Sequence, residues 1–582
     1  MQLEYGLSKL KIKFSGRMEG YNSAILRKDI TAGIIVGIVA IPLSLAFAIA
    51  SGVKPEYGIY TSVIAGLIVA LFGGSRVQIA GPTGAFVPIL LSIVLLYGYE
   101  NLLIATFLSG IILLLMGITK LGVLIRFIPR PVTVGFTSGI AVIIFCGQID
   151  TFLGLQGVLK HEYFLQNISE IGRHLHTIHM PSVIVSVICL AVLIICPKLV
   201  PALPGPFLGI IASTLVATFF FNGSVETIGS KFGEISTAFP EIRLPQITMD
   251  RINLLIGPAL AITILGSIES LLSCVVSDEM TGHKHDSNKE LVGQGIANIV
   301  TPMFGGIAAT GAIARTATNI KNGGKTPVAG IIHSLTVLLL VFTLAPLVSR
   351  IPLASMAPIL MVVAWNMSEQ KQFFHLLKTT KSDALVLIIT FILTILLDLT
   401  VAVGFGLLLA AALFVNRMSD TLSVEKVLPN RNLREKVTPE VVNPYHDCPQ
   451  ISIYTINGAL FFGAVETFET TLTQCIKAKP KLLILRLGNV FVLDATAEVA
   501  LEKIVETFHK EKGLVLITGL KKQPKEILRK SGLYEKLGEQ NFYDRTGLAI
   551  SDALLHIDSE KCLGCKHDAF YECKELSKQL AI

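Results

Sequence analysis

FGGIAATGAIARTATN, residues Phe304–Asn319, lies between long apolar runs yet holds almost no large aliphatic residue. It is mostly glycine, alanine and threonine, with Arg315 near its end. A second stretch, FGGSRVQIAGPTGAF at Phe72–Phe86, shares its FGG and, at slightly different spacing, its TGA. The TGA copies, Thr83–Ala85 and Thr310–Ala312, are 227 residues apart; the same offset relates Pro131 to Pro358 and Pro42 to Glu269. Gly81 and Pro82 break the first stretch. They predict a half-helix starting near Pro82 and Thr83, because proline suits a first helical turn, where its missing N–H would be unpaired anyway. Gly305 and Gly306 end another segment, and a second half-helix is expected from Thr310–Gly311. The first-turn amides and positive dipole ends of two such half-helices make an anion site from backbone alone. Small residues let a ligand approach those amides. Tight helix packing through small residues is the competing explanation. It does not account for breaks that are paired between two halves of a chain, which point to a transporter site near the bilayer midplane.

The flanking sequence supports that setting. The 582 residues are 52% hydrophobic and only 16% charged, with mean hydropathy +0.65. Soluble chains carry about a quarter charged residues. Apolar windows recur from about 30 to 417, long enough to cross roughly 30 Å of hydrocarbon as helices. Spans are expected at 30–51, 55–73, 82–97, 101–118, 131–149, 181–199, 203–221, 252–277, 289–304, 310–320, 326–347, 352–366, 383–398 and 400–417. That is a polytopic α-helical membrane protein of about fourteen spans. Seven per half is odd, so the halves must be inverted repeats. Alternate loops carry Arg76, then Lys120, Arg126 and Arg130, then Lys198, Lys284 and Lys289, Lys321 and Lys325, and Lys371, Lys378 and Lys381. With the basic lead (Lys9, Lys11, Lys13, Arg17, Arg27, Lys28) they place both termini in the cytoplasm of an inner-membrane protein. The lead has no apolar core of a cleavable signal. The net charge of +7 belongs to these loops and is no nucleic-acid signal.

Intramembrane ionisable residues are few, and each is a functional candidate. Glu269, in LGSIESLLSCVV, lies two spans before the second half-helix and is expected to take up a cation or proton while an anion binds nearby. Arg315 sits about one turn into the second half-helix; it can add positive field there or pair with a carboxylate. Asp278 and Asp398 fall at span ends and are expected at the interface.

These segments resemble the SulP anion permeases, solute carrier family 26, over nearly the whole chain. The resemblance rests on DITAGIIVGIVAIPLSLAFAIASGVKPEYGIYTSVIAG, the FGG–TGA stretch, GSIESLLSCVVSDEMTG with NKELVGQGIANI, and ATGAIARTATNIKNGGKTPVAG. It implies a fourteen-span fold of seven plus seven inverted repeats. Spans 1–4 and 8–11 would form a transport core, and spans 5–7 and 12–14 a gate. A cytoplasmic STAS domain would follow. An anion would be held between spans 3 and 10, by Thr83, Gly84 and Ala85 on one side and Gly311, Ala312 and Ile313 on the other. Leu43 and Phe47 of span 1 would face it, with Arg315 as a secondary contributor. Glu269 would couple transport to H⁺ or Na⁺, with Ser273 as partner. Some relatives have glutamine at the position of Leu43, so a side-chain contact to substrate is missing and the anion stays open.

The domains are expected at 1–29 (cytoplasmic segment), 30–417 (transport), 418–446 (charged linker), 447–556 (STAS) and 557–582 (tail). The STAS region reads as an α/β layer on its own pattern. QISIYTINGALFFGAVETFETTLTQCI suggests strand, strand, helix; KLLILRLGNV and LVLITGL are strands; Asp494 is an N-cap. Ala495 follows Asp494 where related stand-alone STAS proteins carry a phosphorylated serine, which excludes that switch. The STAS domain is expected to stabilise, dimerise or regulate, in a homodimer. Of nine cysteines, Cys146, Cys189, Cys196 and Cys274 are expected as packing residues, and a cytoplasmic tail argues against disulfides. In the tail, Cys562, Cys565, His567 and Cys573 could supply four zinc ligands; no other cofactor is expected. No Ser/His/Asp set, P-loop or Walker motif appears, so no enzyme is expected. The expected function is secondary transport of sulfate, bicarbonate or a C4-dicarboxylate by an elevator-like H⁺ or Na⁺ symport. The alternatives are an uncoupled channel or exchanger, and a membrane-tethered STAS sensor.

Overall fold

Helices take up most of the first 420 residues because a helix pairs its own backbone N–H and C=O groups, the condition for carrying these apolar windows across hydrocarbon. The computed structural model describes residues 16–18, 20–123, 128–199, 204–234, 242, 245–397, 399–430, 437–443, 445–567 and 569–577. Lys9, Lys11, Lys13, Arg126 and Asp398, named above, lie outside them. Two compact units divide the chain, 1–410 and 411–582.

In the first unit the elements are α1 (Ser23–Ala50), α2 (Pro55–Phe72), β1 (Ala80–Gly81), α3 (Val87–Tyr97), α4 (Tyr99–Ile118), α5 (Arg130–Gly147), α6 (Met180–Leu199) and α7 (Gly205–Phe220). They continue with α8 (Met249–Thr281), α9 (Ser287–Met303), β2 (Thr310–Gly311), α10 (Ile313–Lys321), α11 (Pro327–Ser349), α12 (Met356–Met367), α13 (Lys381–Leu396) and α14 (Leu399–Ser419). Among the described residues, eight helices are long and apolar enough to cross a membrane; α3 and α7 are shorter apolar ones. α8 is the longest at 33 residues, about 50 Å at 1.5 Å per residue. Thr248 caps its start through the Arg251 N–H, and left-handed Gly282 ends it. The small faces of α4 and α9 allow backbone contact: a Cβ at Gly110 would lie 2.6 Å from the Ile299 nitrogen, and one at Gly295 2.5 Å from that of Leu114.

In the second unit, β3 (Ser423–Lys426), β4 (Leu428–Pro429), β5 (Val437–Thr438), β6 (Ile451–Leu460), α15 (Val465–Lys477), β7 (Leu482–Leu493), α16 (Ala495–Lys510), β8 (Leu514–Thr518), α17 (Lys522–Ser531), β9 (Phe542–Tyr543) and α18 (Thr546–Leu555) follow in order. The sheet runs β3-β6-β7-β8-β9, parallel except for β3. Asp494 caps α16 through the Ala497 N–H, as expected. Two expectations change. The two strands of QISIYTINGAL are one, β6, whose register against β7 shifts around Gly458. The segment 418–446 is not a plain linker, because β3 forms an edge of the sheet. Leu422 and Val424 pack inward, Glu425 faces out, and Lys426 pairs with Asp447 at 2.6 Å. The tail beyond 557 is packed: Ala569 and Phe570 are 1% exposed and lie on Ile453, Ile484 and Leu516.

Candidate functional site

β1 and β2 cross antiparallel, Ala80 opposite Gly311 and Gly81 opposite Thr310. A half-helix leaves each. The first opens as a 3₁₀ turn, Gly84–Phe86, and continues as α3; the second is α10. Their cap residues are Thr83 and Ala312, both extended, and neither start has a side-chain cap. Structural equivalence therefore pairs Thr83 with Ala312. The identical TGA tripeptides are out of register by two residues, and Thr310–Gly311 lie inside β2.

Buried polar side chains hold the unwound segments in place. Gln78 donates to Glu290 Oε1 at 2.9 Å and to the Ser270 carbonyl at 3.3 Å, and accepts from Cys274 Sγ at 2.9 Å. Glu290, fully buried, accepts from the amides of Gly74 (2.8 Å) and Ser75 (3.2 Å) and from Gln294 (3.0 Å). Ahead of β2, Asn298 brackets Ala309 through its N–H and carbonyl, and Thr61 Oγ1 accepts from the Ile307 N–H. These bonds satisfy backbone that no helix satisfies.

On the span 3 side of the crossing one buried polar group is left unmatched. Thr83 Oγ1 is buried with no hydrogen-bond partner among the described residues. A Cβ at Gly84 would meet Met367 Sδ at 3.0 Å, Phe47 Cε1 at 3.3 Å and Ile144 Cδ1 at 3.5 Å. Gly84 thus faces side chains of α12, α1 and α5. Leu43 is 7% and Ala85 1% exposed, in the same apolar cluster as Phe47.

The span 10 side is more occupied than expected. The Gly311 N–H donates to Ser270 Oγ at 3.1 Å and the Ala312 N–H to the Ile79 carbonyl at 2.8 Å. Those two amides are not bare, a correction that follows from the packing of this segment against α8 and the β1 segment. The uncapped first-turn amides start at Ile313. Arg315 is 2% exposed and turns toward the protein: its guanidinium donates to the Pro82 carbonyl and, at 3.1 Å, to Ser62 Oγ. Ser62 Oγ lies 2.6 Å from Ser44 Oγ on α1. No carboxylate pairs with Arg315 among the described residues. It braces span 3 from behind, and Gly81 must be glycine there, since a Cβ would sit 2.6 Å from Arg315 Nη1.

Glu269 is 6% exposed on α8, in one helical neighbourhood with Gly266 and Ser270, which bond Thr310 and Gly311 of β2. It makes no hydrogen bond or ion pair with the described residues. The charged group that interacts with it is Glu369, which follows α12 with left-handed φ of 41°. Ser273 is not its partner; its hydroxyl reaches Thr316 Oγ1 at 3.4 Å. Sequence reasoning missed Glu369, Met367, Ile144, Gln78 and Glu290, since nothing in local spacing joins them to the half-helices.

In the second unit, no three His, Cys, Asp or Glu side chains among the described residues are arranged to hold a metal ion. Cys562 accepts from Gln450 Nε2 at 3.4 Å and Cys573 from the Phe570 N–H at 3.3 Å. His567 Nδ1 has no hydrogen-bond partner among the described residues. Cys448, not expected there, interacts with Cys573 and Cys562, and burial raises its thiol to about 11.

Two half-helices thus meet at a two-strand crossing, and a unit built on a small, mostly parallel sheet follows in sequence. The chain belongs to the sulfate permease family, whose model matches residues 26–390; the STAS domain model matches residues 445–549. It is 50% identical to YvdB of Bacillus subtilis over 533 residues, 92% of this chain and 99% of that one. It is 29% identical to the bicarbonate transporter BicA of Picosynechococcus over 552 residues, 91% and 95% of the two chains. The inward-facing structure of the murine solute carrier 26 family member A9 anion transporter matches with a TM-score of 0.83 at 18% identity, covering 96% of this chain and 94% of that one. The family consists of transporters, and this chain is an integral membrane protein with a helical transport domain and a STAS domain.

Proposed function

We propose that this protein is a secondary transporter of a small oxyanion, sulfate or bicarbonate first. The anion is held where the two half-helix starts meet. The observation that carries this is the buried Thr83 hydroxyl without a partner beside the uncapped start at Gly84. A buried hydroxyl left unpaired costs about 1–3 kcal/mol, and an anion at the positive ends of two helix dipoles would recover it. Thr83, Gly84 and Ala85 lead on span 3 and Ile313 on span 10. Gly311 and Ala312 shape the wall, Phe47 and Leu43 close it from span 1, and Arg315 lends charge from behind.

The fourteen helices α1–α14 are read as fourteen spans in two inverted halves. Matched packing pairs support the repeat: α1 lies on α11 as α8 on α4, α9 on α4 as α2 on α11, and α5 on α13 as α12 on α6. Gly84 packs against Met367 of α12 and Ile144 of α5. This supports an elevator-like movement in which spans 1–4 and 8–11 slide past spans 5–7 and 12–14. Glu269, unpaired and facing Glu369, is the coupling residue for H⁺ or Na⁺. The protein would act as a homodimer in the inner membrane with both termini cytoplasmic. Zinc in the tail is a separate proposal resting on the C-x₂-C spacing of Cys562 and Cys565; metal content of the purified protein tests it.

The test is uptake of radiolabelled sulfate, bicarbonate and succinate into proteoliposomes, with and without Na⁺ or a pH gradient. Sulfate or bicarbonate uptake that accelerates with one gradient supports the proposal. Uptake of neither, or currents far above carrier rates, would overturn it.

A further inference from the structure

The second unit includes the last turns of α14, since the division falls between 410 and 411. α14 is one of the eight helices long and apolar enough to cross a membrane. Its final residue touches the turn after β6: a Cβ at Gly463 would lie 2.5 Å from Ser419 Oγ. The chain then enters β3, whose first residue, Ser423, lies opposite Asn457 near the carboxyl end of β6. The carboxyl end of the sheet is therefore the end that abuts the last span.

That end exposes large apolar side chains. Phe462, the neighbour of Gly463, is 61% exposed, and Phe491 and Val492, at the end of β7, are 50% and 40% exposed. β6 and β7 finish side by side, with Leu460 opposite Leu493. The Phe462 N–H donates to Asp494 Oδ2 at 2.9 Å, and Asp494 Oδ1 accepts from the Ala497 N–H at 2.9 Å. That carboxylate is thus spent on backbone. The first turn of α17 closes the group from the other side, because Gln523 bonds the N–H and the carbonyl of Leu493 at 3.0 and 2.9 Å. Lys521 and Lys522, directly ahead of Gln523, are exposed and have no ion pair among the described residues.

A contiguous exposed apolar patch marks an interaction surface. Phenylalanines beside lysines suit the boundary between headgroups and acyl chains, where the rings bury and the cations meet anionic lipid. A protein partner could cover the rings as well. The bilayer is favoured because a membrane span ends on the patch itself, at the Ser419–Gly463 contact.

We propose that this end of the STAS domain rests on the cytoplasmic leaflet, with Phe462, Phe491 and Val492 entering the headgroup layer and Lys521 and Lys522 binding anionic phospholipid. The proposal rests on α14 being a span and not on which anion is carried.

Hydrogen–deuterium exchange on the full-length protein tests this in detergent, in phosphatidylcholine nanodiscs and in phosphatidylglycerol nanodiscs. Exchange at residues 461–464 and 520–524 should be slowest in phosphatidylglycerol, by at least about fivefold over phosphatidylcholine, the scale of one lysine at an anionic surface. Lys521→Glu combined with Lys522→Glu should abolish the difference between the two lipids. Phe462→Ser combined with Phe491→Ser should speed exchange in both lipids, and serves as the second variant should the lysine pair fold poorly. Lys561→Glu, near Asp558 at the opposite end of the sheet, should leave all of this unchanged. Equal protection in detergent and in both lipids would show that the protein itself, or a second copy, covers the patch, and would overturn the proposal. No protection in any of the three, or a phosphatidylglycerol effect that survives in the lysine variant, would overturn it too.

Discussion

The same three residues, Thr-Gly-Ala, occur at 83–85 and 310–312 and live in different surroundings. Thr83 is a helix cap with a buried, unpartnered hydroxyl; Thr310 is a strand residue whose hydroxyl bonds Ser270 Oγ at 2.7 Å and the Gly266 carbonyl at 3.2 Å. Gly84 faces side chains from three other helices, while Gly311 packs on Gln78 and Ser270 and gives its N–H to Ser270. A slip of two residues relative to the helix start turns a ligand-facing motif into a scaffold motif. The proposed site is therefore asymmetric, with span 3 offering an unpartnered hydroxyl and span 10 a braced wall.

Substitutions at the paired glycines should break this contrast most sharply. A Cβ at Gly311 would lie 2.0 Å from Gln78 Nε2, which is tied to Glu290 and Ser270. Gly311→Ala should cost about 1–3 kcal/mol as overpacking, seen as a lower melting temperature and a poor yield of monodisperse protein. Gly84→Ala should lower the melting temperature less than Gly311→Ala, since its Cβ first meets the flexible end of Met367 at 3.0 Å, and should still cut uptake strongly, because it enters the space between Phe47, Met367 and Ile144. Next in size is Glu269→Gln, which should remove the response of uptake to a pH gradient while retaining anion binding; unchanged gradient-driven uptake would sink the coupling role. Glu369→Gln should only shift the pH at which that response is half-maximal, since Glu369 acts on Glu269 through its charge. Arg315→Gln should lower stability more than affinity, because its buried bonds go to Pro82 and Ser62; a loss of affinity with unchanged melting would place Arg315 against the anion instead. Ser270→Ala should have the smallest effect on affinity, within about threefold, since the bond it removes is internal.

How much of this was legible in the sequence follows from the range of each signal. Gly81–Pro82 and Gly305–Gly306 mark the breaks locally, so both half-helices were placed within a few residues. The matching tripeptides misled about register, because a cap is fixed by where the backbone turns helical, and that is set by the β1–β2 pairing. Gln78 and Glu290 were invisible: they are 212 residues apart, and their pairing appears only when α9 packs beside the unwound segment. Met367 and Ile144 were missed for the same reason. Arg315 looked like an anion ligand by residue type, yet burial directs it to a carbonyl and a hydroxyl. In the second unit, the charges of 418–446 suggested a linker and hid the half-apolar edge strand β3.

The central claim is that the anion rests on the span 3 start, with Thr83 as its side-chain contact. Equilibrium binding of radiolabelled sulfate and bicarbonate to purified Thr83→Val and Thr310→Val, each with its melting temperature, tests it most directly. The expected result is an affinity about tenfold weaker for Thr83→Val, the scale of one hydrogen bond to a charged group, with melting unchanged. Thr310→Val should show the reverse, lower melting and near-native affinity. Equal affinities in the two variants, or a loss confined to Thr310→Val, would contradict the account.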